Sequence, residues 1–227
     1  MGIDSKCLVK QHNSLISAKH GLTQVQMKIV LAVIGKIHKN DEDFKDYCFY
    51  IKDFMDIINE EGEWQKNYAF IKESIKGILS KPLEIKTKEG HLLCNWLSGA
   101  ETEENSGLVK LRFDPALKPY LLQLKEQFTM FKLEYVLLLN SIYSIRVYEL
   151  LKQFLNTGFK VITIDEFKNI LEIPNSYTVI NIKRLLNKIK TELSEKTDIE
   201  FDYKFEKIGK KFNLIKFFIK SKENKKK

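Results

Sequence analysis

An α+β fold of two tandem domains, each with three helices followed by a β-hairpin, is predicted for this chain. Helical apolar periodicity in each half ends in a pair of strand-like runs, and the halves repeat this order at a spacing of roughly a hundred residues. A chain of 227 residues with 44% hydrophobic content is large enough to bury a substantial core. We place the N-terminal domain at residues 1–125 and the C-terminal domain at residues 126–227.

The helices of the N-terminal half follow a polar start of about 20 residues. Thr23 and Gln26 have the spacing of a capping box, and apolar residues at every fourth position then predict a helix up to about His38. The ranges 51–59 and 64–79 have the patterns of a second and a third helix. Four apolar residues in the polar start suggest a short pairing strand or arm: Leu8, Val9, Leu15 and Ile16.

The remainder of the N-terminal half is predicted to be mainly strands. Strand-like runs at 83–87 and 92–97 flank a Lys-Glu-Gly turn signal and complete the pattern of three helices and a hairpin. The acidic range 98–107 is predicted to be a solvated loop, and 108–113 another strand. Pro115 then opens a predicted connecting helix.

The C-terminal half repeats the order of the first. A helix with a break at Asn140-Ser141 is followed by a second helix opened by Thr163 and Glu166, a third helix and two strand-like runs. In the short second helices, Phe54 of one half corresponds to Phe167 of the other. The predicted ranges are 133–155, 165–171, 179–197, 199–205 and 212–218.

Three helices followed by a hairpin is the element order of a winged helix. In that fold the third helix can enter the DNA major groove and the hairpin, or wing, lies against the backbone. The same order fits a pair of small α+β domains that bind protein, but the charge distribution favours DNA. Residues 1–120 hold 17 basic and 17 acidic residues, whereas residues 121–227 hold 21 and 13, so the formal net charge of +8 lies in the second half. Such an excess predicts a polyanionic partner, here double-stranded DNA.

The third helix of the C-terminal half is the candidate for reading DNA. Arginine is the usual partner of guanine and asparagine of adenine, whereas lysine supplies charge to the backbone. A polar face that is merely solvated stays open as an interpretation of this helix alone. The candidate residues are Asn181, Lys183, Arg184, Asn187, Lys188 and Thr191 on the helix, with Lys207, Lys210 and Lys211 around Gly209 at the predicted wing tip.

The equivalent helix of the N-terminal half is a weaker candidate. It carries Lys66 and Lys76, but Glu73 in the middle of the same face opposes phosphate. We therefore expect weaker or more indirect DNA contact from this domain, which leaves its surface free to pair with another protein. The range 225–227 is interpreted as a generic basic tail.

Signatures of enzymes and cofactors are missing from the sequence. It has no glycine-rich nucleotide loop of the Walker type, and its four histidines have no metal-binding spacing. Three scattered arginines cannot supply the phosphate clamp of a tyrosine recombinase. We therefore predict no catalytic residue, no metal and no cofactor, and a DNA-processing enzyme remains an unsupported alternative.

The spacing of the cysteines and the hydropathy of the chain indicate the cellular compartment in which the protein functions. Cys7, Cys48 and Cys94 are far apart, which predicts reduced thiols rather than a disulfide framework. The apolar runs are far shorter than a membrane span, and the N-terminus lacks a signal core. A cytoplasmic protein, associated with the nucleoid or a plasmid and without a membrane partner, is predicted.

Ordered motifs over nearly the whole length give the chain a family resemblance. They are Val9–Ile16, Phe113–Pro115, Pro119–Leu124, Phe128–Thr129, Ser141–Lys152, Lys196–Asp198 and Lys207–Lys211. On these motifs the chain resembles the replication initiator (Rep) proteins of iteron-containing, theta-replicating bacterial plasmids. The most diagnostic motif is Ser141–Lys152, which holds Tyr143, Arg146, Tyr148, Glu149, Leu150 and Leu151. Tyrosines and leucines around Arg146 favour a mainly structural role for that arginine, with a contact to phosphate as the alternative.

The resemblance implies a function as well as two winged-helix domains. Family members bind direct repeats (iterons) at the origin as monomers, help to open adjacent DNA, and recruit the host initiator and the replicative helicase. Dimers commonly repress their own gene. By this resemblance the C-terminal domain makes the principal DNA contacts, and the N-terminal domain supplies dimerisation and auxiliary contacts. The family often has an aromatic and further basic residues where this chain has Asn181 and Ile182. A winged-helix transcriptional repressor without a replication role is the alternative.

Overall fold

The computed structural model describes residues 2–58, 64–103, 106–209 and 211–222. By its internal contacts the chain divides into two compact units, residues 1–137 (unit 1) and residues 138–227 (unit 2). The elements of unit 1 are β1 (Leu8–His12), α1 (Asn13–Ile16), α2 (Gln24–Ile34), β2 (Tyr47–Tyr50), α3 (Ile51–Ile58), α4 (Trp64–Leu79), β3 (Pro82–Lys86), β4 (His91–Asn95), β5 (Leu97–Thr102), β6 (Leu108–Phe113), α5 (Lys118–Leu121), β7 (Phe128–Lys132) and α6 (Leu133–Leu137). The elements of unit 2 are α7 (Ile142–Lys152), β8 (Phe159–Thr163), α8 (Ile164–Leu171), α9 (Val179–Lys196), β9 (Ile199–Ile208) and β10 (Lys211–Ser221).

The units divide later in the chain than the predicted boundary after residue 125. The reason is that β7, which the sequence analysis does not predict, pairs antiparallel with β1 near the start of the chain, with Val9 opposite Phe131. Of the four apolar residues predicted to form a pairing strand or arm, Leu8 and Val9 belong to β1, whereas Leu15 and Ile16 lie in the short helix α1. The partner of β1 lies so far along the sequence that local patterning does not reveal it.

The helix starts of unit 1 follow local rules. Thr23 Oγ1 accepts from the N–H of Gln26 at 3.3 Å, and the Thr23 N–H donates to Gln26 Oε1 at 3.0 Å, so the predicted capping box is formed. The helix ends at Ile34, earlier than the predicted His38. A Cβ atom at position 35 would lie 2.4 Å from Cys7 Sγ, so any larger residue there would displace the Cys7 side chain.

The wing of unit 1 differs from the prediction. The predicted hairpin exists as β3 and β4, but it forms a separate two-stranded sheet. The wing is instead β5 and β6, which join β2 in a sheet of order β2-β6-β5. The prediction of a solvated loop at 98–107 is therefore wrong, because β5 fills much of that range. Its acidic side chains hide the strand pattern, and Glu101 and Glu103 both pair with Lys110 of β6, at 3.6 and 3.3 Å.

Unit 2 repeats this topology. Its sheet has the order β8-β10-β9, so in both units the strand before the second helix pairs with the last strand of the wing. The predicted break at Asn140-Ser141 is confirmed, since Ser141 Oγ accepts from the N–H of Ser144 at 3.0 Å and caps α7. Phe54 and Phe167 are both fully buried, and each packs on a phenylalanine of its own sheet. The structure thus consists of two winged-helix domains.

The first helix of unit 2, α7, holds α8 through a buried arginine. Arg146 is 2% exposed, and its Nη2 donates to the carbonyl of Ile170 near the end of α8 at 2.7 Å. Burial lowers the pKa of the Arg146 guanidinium, and the nearby Glu149 and Glu172 oppose that shift. Buried to this extent, Arg146 has no surface to offer to a phosphate. The motif neighbours Tyr148, Glu149, Leu150 and Leu151 are also buried, and Tyr143 is half-buried.

Both ends of α7 also make contacts with the C-terminal part of α9 and the residues that follow it. Ser144 Oγ donates to Glu192 of α9 at 2.5 Å, and the backbone N–H of Asn140 donates to the same carboxylate at 2.7 Å. At the other end, Asp198 accepts from Tyr148 Oη at 3.0 Å and from Lys152 Nζ at 2.6 Å. We call the contacts of Glu192 and Asp198 with α7 the α7–α9 clamp. Since Asp198 lies between α9 and β9, the clamp fixes both the helix and the start of the wing.

Hydropathy gives no indication of a membrane span. Over the described ranges, every helix is too short or too polar to cross a bilayer.

Replacing Asp198 with alanine is expected to destabilise unit 2 by about 3 kcal/mol, because the change leaves the ammonium of Lys152 buried without its partner. Native-state hydrogen exchange of amides in α9 measures the effect. Both tryptophans, Trp64 and Trp96, lie in unit 1, so their fluorescence would not report it. The matched control is Asp202→Ala, which breaks the exposed pair with Lys190 and should change little. Equal effects of the two substitutions would contradict a special role for the clamp.

Candidate nucleic-acid interface

Helix α9 presents one face to the core of unit 2 and the other to solvent. Its apolar stripe of Ile182, Leu186, Ile189 and Leu193 is buried. The structure exposes the predicted residues of the opposite face, which are Lys183, Arg184, Asn187, Lys188 and Thr191. The helical spacing of the apolar residues is thus sufficient to assign the two faces.

Asn181 has a local role that the sequence analysis missed. It is half-buried, and its Oδ1 accepts from the backbone N–H of Thr178 at 2.9 Å and from Thr178 Oγ1 at 2.7 Å. Asn181 thereby caps the start of α9. The spacing of threonine and asparagine three residues apart is the signal that could have revealed this cap.

Asn187 is held by the wing. Tyr203 of β9 places its hydroxyl 2.7 Å from Asn187 Oδ1 and 3.2 Å from the backbone carbonyl of Lys183. Burial raises the pKa of Tyr203, and the nearby Asp202 adds to the shift, so the hydroxyl stays protonated and donates. The amide of Asn187 is therefore oriented before any ligand arrives. A carboxamide with a fixed orientation can pair with an adenine edge through its remaining lone pair and its N–H groups.

Near the tip of the wing, a lysine makes a cation–π contact with a phenylalanine ring. The hairpin of β9 and β10 turns at Gly209, whose φ of 67° lies in the left-handed region that favours glycine. Lys207 is exposed, and its Nζ lies 5.0 Å from the centroid of the Phe212 ring. This contact holds an ammonium near the tip, where a phosphate can reach it. Lys210 lies outside the described residues, as does the side chain of Lys211.

The three arginines of the chain have different environments. Arg112 is engaged by Asp46 through two hydrogen bonds, and Arg146 is buried in unit 2. Arg184 is exposed, and within the described part of the chain it has no hydrogen bond or ion pair. Arg184 therefore has its full set of donors available for an external partner.

The corresponding helix of unit 1 offers less charge. On α4, Lys76 Nζ lies 3.5 Å from the carboxylate of Glu73, and both side chains are strongly exposed. The side chain of Lys66 lies outside the described residues. Over the whole sequence, residues 1–137 hold 19 basic and 19 acidic residues, whereas residues 138–227 hold 19 and 11. The excess positive charge therefore belongs to unit 2.

The described residues contain no group of three or more histidine, cysteine or acidic side chains placed to hold a metal ion. Cys7, Cys48 and Cys94 are free thiols.

Comparison with known proteins places these features in a family context. The family model described as "Initiator Replication protein, WH1" matches residues 8–152, and the model described as "Initiator Rep protein, WH2" matches residues 163–219. A replication initiation protein of Escherichia coli is 26% identical over 184 residues, which cover 76% of this chain but only 57% of that protein. A 27.6 kDa protein of Escherichia coli, described as uncharacterized, is 25% identical over 227 residues, 92% of this chain and 93% of that protein.

A solved structure has the same fold over nearly the full chain. The Pi initiator protein, crystallised in complex with iteron DNA, superposes with a TM-score of 0.73 at 20% identity, covering 96% of this chain and 98% of that one.

Replacing Lys207 with alanine should make DNA binding less dependent on salt. If Lys207 neutralises one phosphate, the slope of log affinity against log salt concentration becomes shallower by about one. Fluorescence anisotropy with a labelled duplex of arbitrary sequence measures the slope. Lys220→Ala is the matched control, since Lys220 is exposed at the base of the same hairpin, opposite Glu200. An unchanged slope for Lys207→Ala would place this lysine away from the phosphates.

Proposed function

The chain belongs to the initiator replication (Rep) protein family, and from this premise we propose that it initiates plasmid replication by binding direct repeats, or iterons, at the origin. The crystallised relative with the same fold carries iteron DNA, which supports the choice of DNA repeats as ligand. In this proposal the chain helps to open adjacent A+T-rich DNA and acts by binding, bending and recruitment rather than by catalysis.

The observation that carries the proposal is Arg184. It lies exposed and unengaged, within the described residues, on the third helix of the unit that holds the whole charge excess. A guanidinium in that position can donate two parallel hydrogen bonds to a guanine edge, the commonest specific contact in the major groove. The other two arginines are committed within their own units.

We assign the neighbouring side chains by their chemistry. Arg184 and Asn187 contact base edges, while Lys183, Lys188 and Thr191 contact the backbone beside them. Asn181 caps the helix and can offer its amide N–H groups to a phosphate. At the wing, Lys207, Lys210 and Lys211 contact phosphates.

Unit 1 is assigned a supporting role. We propose that the N-terminal domain, predicted at residues 1–125, mediates homodimerisation and makes auxiliary DNA contacts through Lys66 and Lys76. The pairing of Lys76 with Glu73 is in keeping with weak contacts there. As in the family, dimers would repress the chain's own gene, and the DNA-bound monomer would recruit the host initiator and the replicative helicase. The C-terminal domain, predicted at residues 126–227, is the principal DNA-binding domain.

Selection of bound duplexes from a random pool by the purified chain tests the proposal. At physiological salt, enrichment of one motif that also occurs as tandem repeats beside the gene is the expected result. Binding without enrichment, combined with a steep salt dependence, would mean that the cationic surface reads only phosphate, and the proposal would fall.

The Arg184→Ala variant should lose about 1–3 kcal/mol of binding free energy on the selected duplex, with relaxed preference at one base pair. Binding to arbitrary DNA should change much less, because only the base contact is removed. Competition titrations with single-base variants of the duplex measure both effects. Arg112→Ala, which removes an exposed arginine of unit 1, is the matched control. A loss of equal size on arbitrary DNA would demote Arg184 to a phosphate contact.

The Tyr203→Phe variant tests whether the wing orients Asn187. Removing the hydroxyl should reduce the free energy of binding to the selected duplex by about 1 kcal/mol and weaken the preference for one adenine. The reason is that the amide of Asn187 then has to be ordered when DNA binds. The same titrations report the preference, and Tyr143→Phe removes a hydroxyl from α7 as the control. If Tyr203→Phe weakens binding to selected and arbitrary duplexes equally, Tyr203 only packs the wing.

A further inference from the structure

One large apolar side chain, that of Ile180, is exposed at the start of α9. Ile180 is 64% exposed, more than the other apolar residues of α9. It precedes Lys183, Arg184 and Asn187 by three, four and seven positions, so all four side chains lie on one helical face. The apolar residue therefore belongs to the same stripe as the candidate base-reading residues.

A cleft between α9 and the wing extends this surface. Its volume is about 550 Å³, and its lining combines apolar side chains with the amines of Lys183 and Lys190, the Asn187 amide and the Tyr203 hydroxyl. It also includes the carboxylate of Asp202, which pairs with Lys190 at 3.1 Å. Ile180 and Phe212, which is 44% exposed, both line the cleft, together with Lys183 and Asn187. A ligand that fits this surface has an apolar group next to anionic and hydrogen-bonding groups.

DNA has one such apolar group in its major groove, the C5-methyl of thymine. The other groups on the base edges there are hydrogen-bond donors and acceptors, so an aliphatic side chain can distinguish thymine only through this methyl. In helix-turn-helix domains the N-terminal residues of the third helix contact the base edges, and Ile180 lies in the first turn of α9.

We propose that Ile180 contacts the C5-methyl of a thymine and sets a preference for thymine at one or two positions of the bound repeat. This inference rests on the proposed function and deepens it, since it adds an apolar contact to the hydrogen bonds of Arg184 and Asn187. The contact removes from water both the methyl and much of the exposed isoleucine side chain.

Deoxyuridine isolates the methyl group, because it keeps the pairing and hydrogen-bonding groups of thymine. The duplex selected by the wild-type chain is prepared with each thymine replaced in turn by deoxyuridine, and the affinity for each is measured by competition. The affinity of the wild-type chain should fall about three- to tenfold when thymine is replaced at one or two positions. This is the loss expected for one or two buried methyl-sized groups. Ile180→Ala should bind the unmodified duplex more weakly by a similar factor and no longer respond to the replacement at those positions.

Three controls make the result specific. Ile180→Val keeps a branched aliphatic side chain and should retain part of the sensitivity. Arg184→Ala should retain the full sensitivity to deoxyuridine while losing its own base preference. Val161→Ala shortens an exposed aliphatic side chain on β8 and should leave all affinities unchanged.

Two failures are distinguishable in this experiment. If the wild-type chain enriches no motif, the proposed function fails and the inference falls with it. If a motif is enriched but no thymine replacement weakens binding, or if Ile180→Ala responds to every replacement as the wild type does, only the thymine contact is overturned. The second result would leave the exposed Ile180 for contact with a protein.

Discussion

The arrangement of unit 2 depends on the hydrogen bonds and the ion pair that the buried carboxylate of Asp198 makes with α7. This carboxylate receives the hydroxyl of Tyr148 and the ammonium of Lys152 from α7, and it lies where α9 ends and β9 begins. One charged group therefore ties both the end of α9 and the start of the wing to α7. Such a pair is costly to desolvate and costly to break, so it specifies one arrangement more than it adds to stability. At the other end of α7, Glu192 and Arg146 tie down α9 and α8. The motif Ser141–Lys152 thus contributes the contacts that hold α8, α9 and the start of β9 in place.

The candidate interface of unit 2 combines exposed cations with Asn181 and Asn187, two side chains that also make contacts within the unit. Arg112 is bound by Asp46, and Arg146 donates to the carbonyl of Ile170. Arg184, in contrast, is exposed and has no partner in the described part of the chain. The charge excess follows the same division, because residues 1–137 are balanced and residues 138–227 carry the surplus. Both units have winged-helix topology, so the fold alone cannot say which of them binds DNA. The difference between the units lies in charge and in how the polar groups are engaged, as Glu73 beside Lys76 on α4 illustrates.

Much of the fold could be predicted from the sequence because its helices are marked by local signals. The caps at Thr23 and Ser141 and the apolar stripe of α9 need only residues that are close in sequence. The strands β2, β5, β7 and β8 were missed for physical reasons. The four residues of β2 run directly into α3, so they are too few to show a strand pattern of their own. Acidic side chains cover β5, the partner of β7 is at the opposite end of unit 1, and β8 is a largely exposed edge strand. At the interface, the exposed face of α9 was predictable, but the hold of Tyr203 on Asn187 was not. That contact joins a helix to a strand, and its existence depends on how the wing packs.

We propose that a single chain reads one repeat, with unit 2 as its principal DNA-binding unit, so that tandem repeats are occupied by independent copies. To test this, the mass of the complex is measured on duplexes that carry two selected motifs, arranged either as a direct or as an inverted repeat at the same spacing. Two chains are expected on the direct repeat, with each motif bound as tightly as when it stands alone. Tight binding confined to the inverted arrangement, and only as a preformed dimer, would contradict it and would indicate a repressor that reads a symmetric operator.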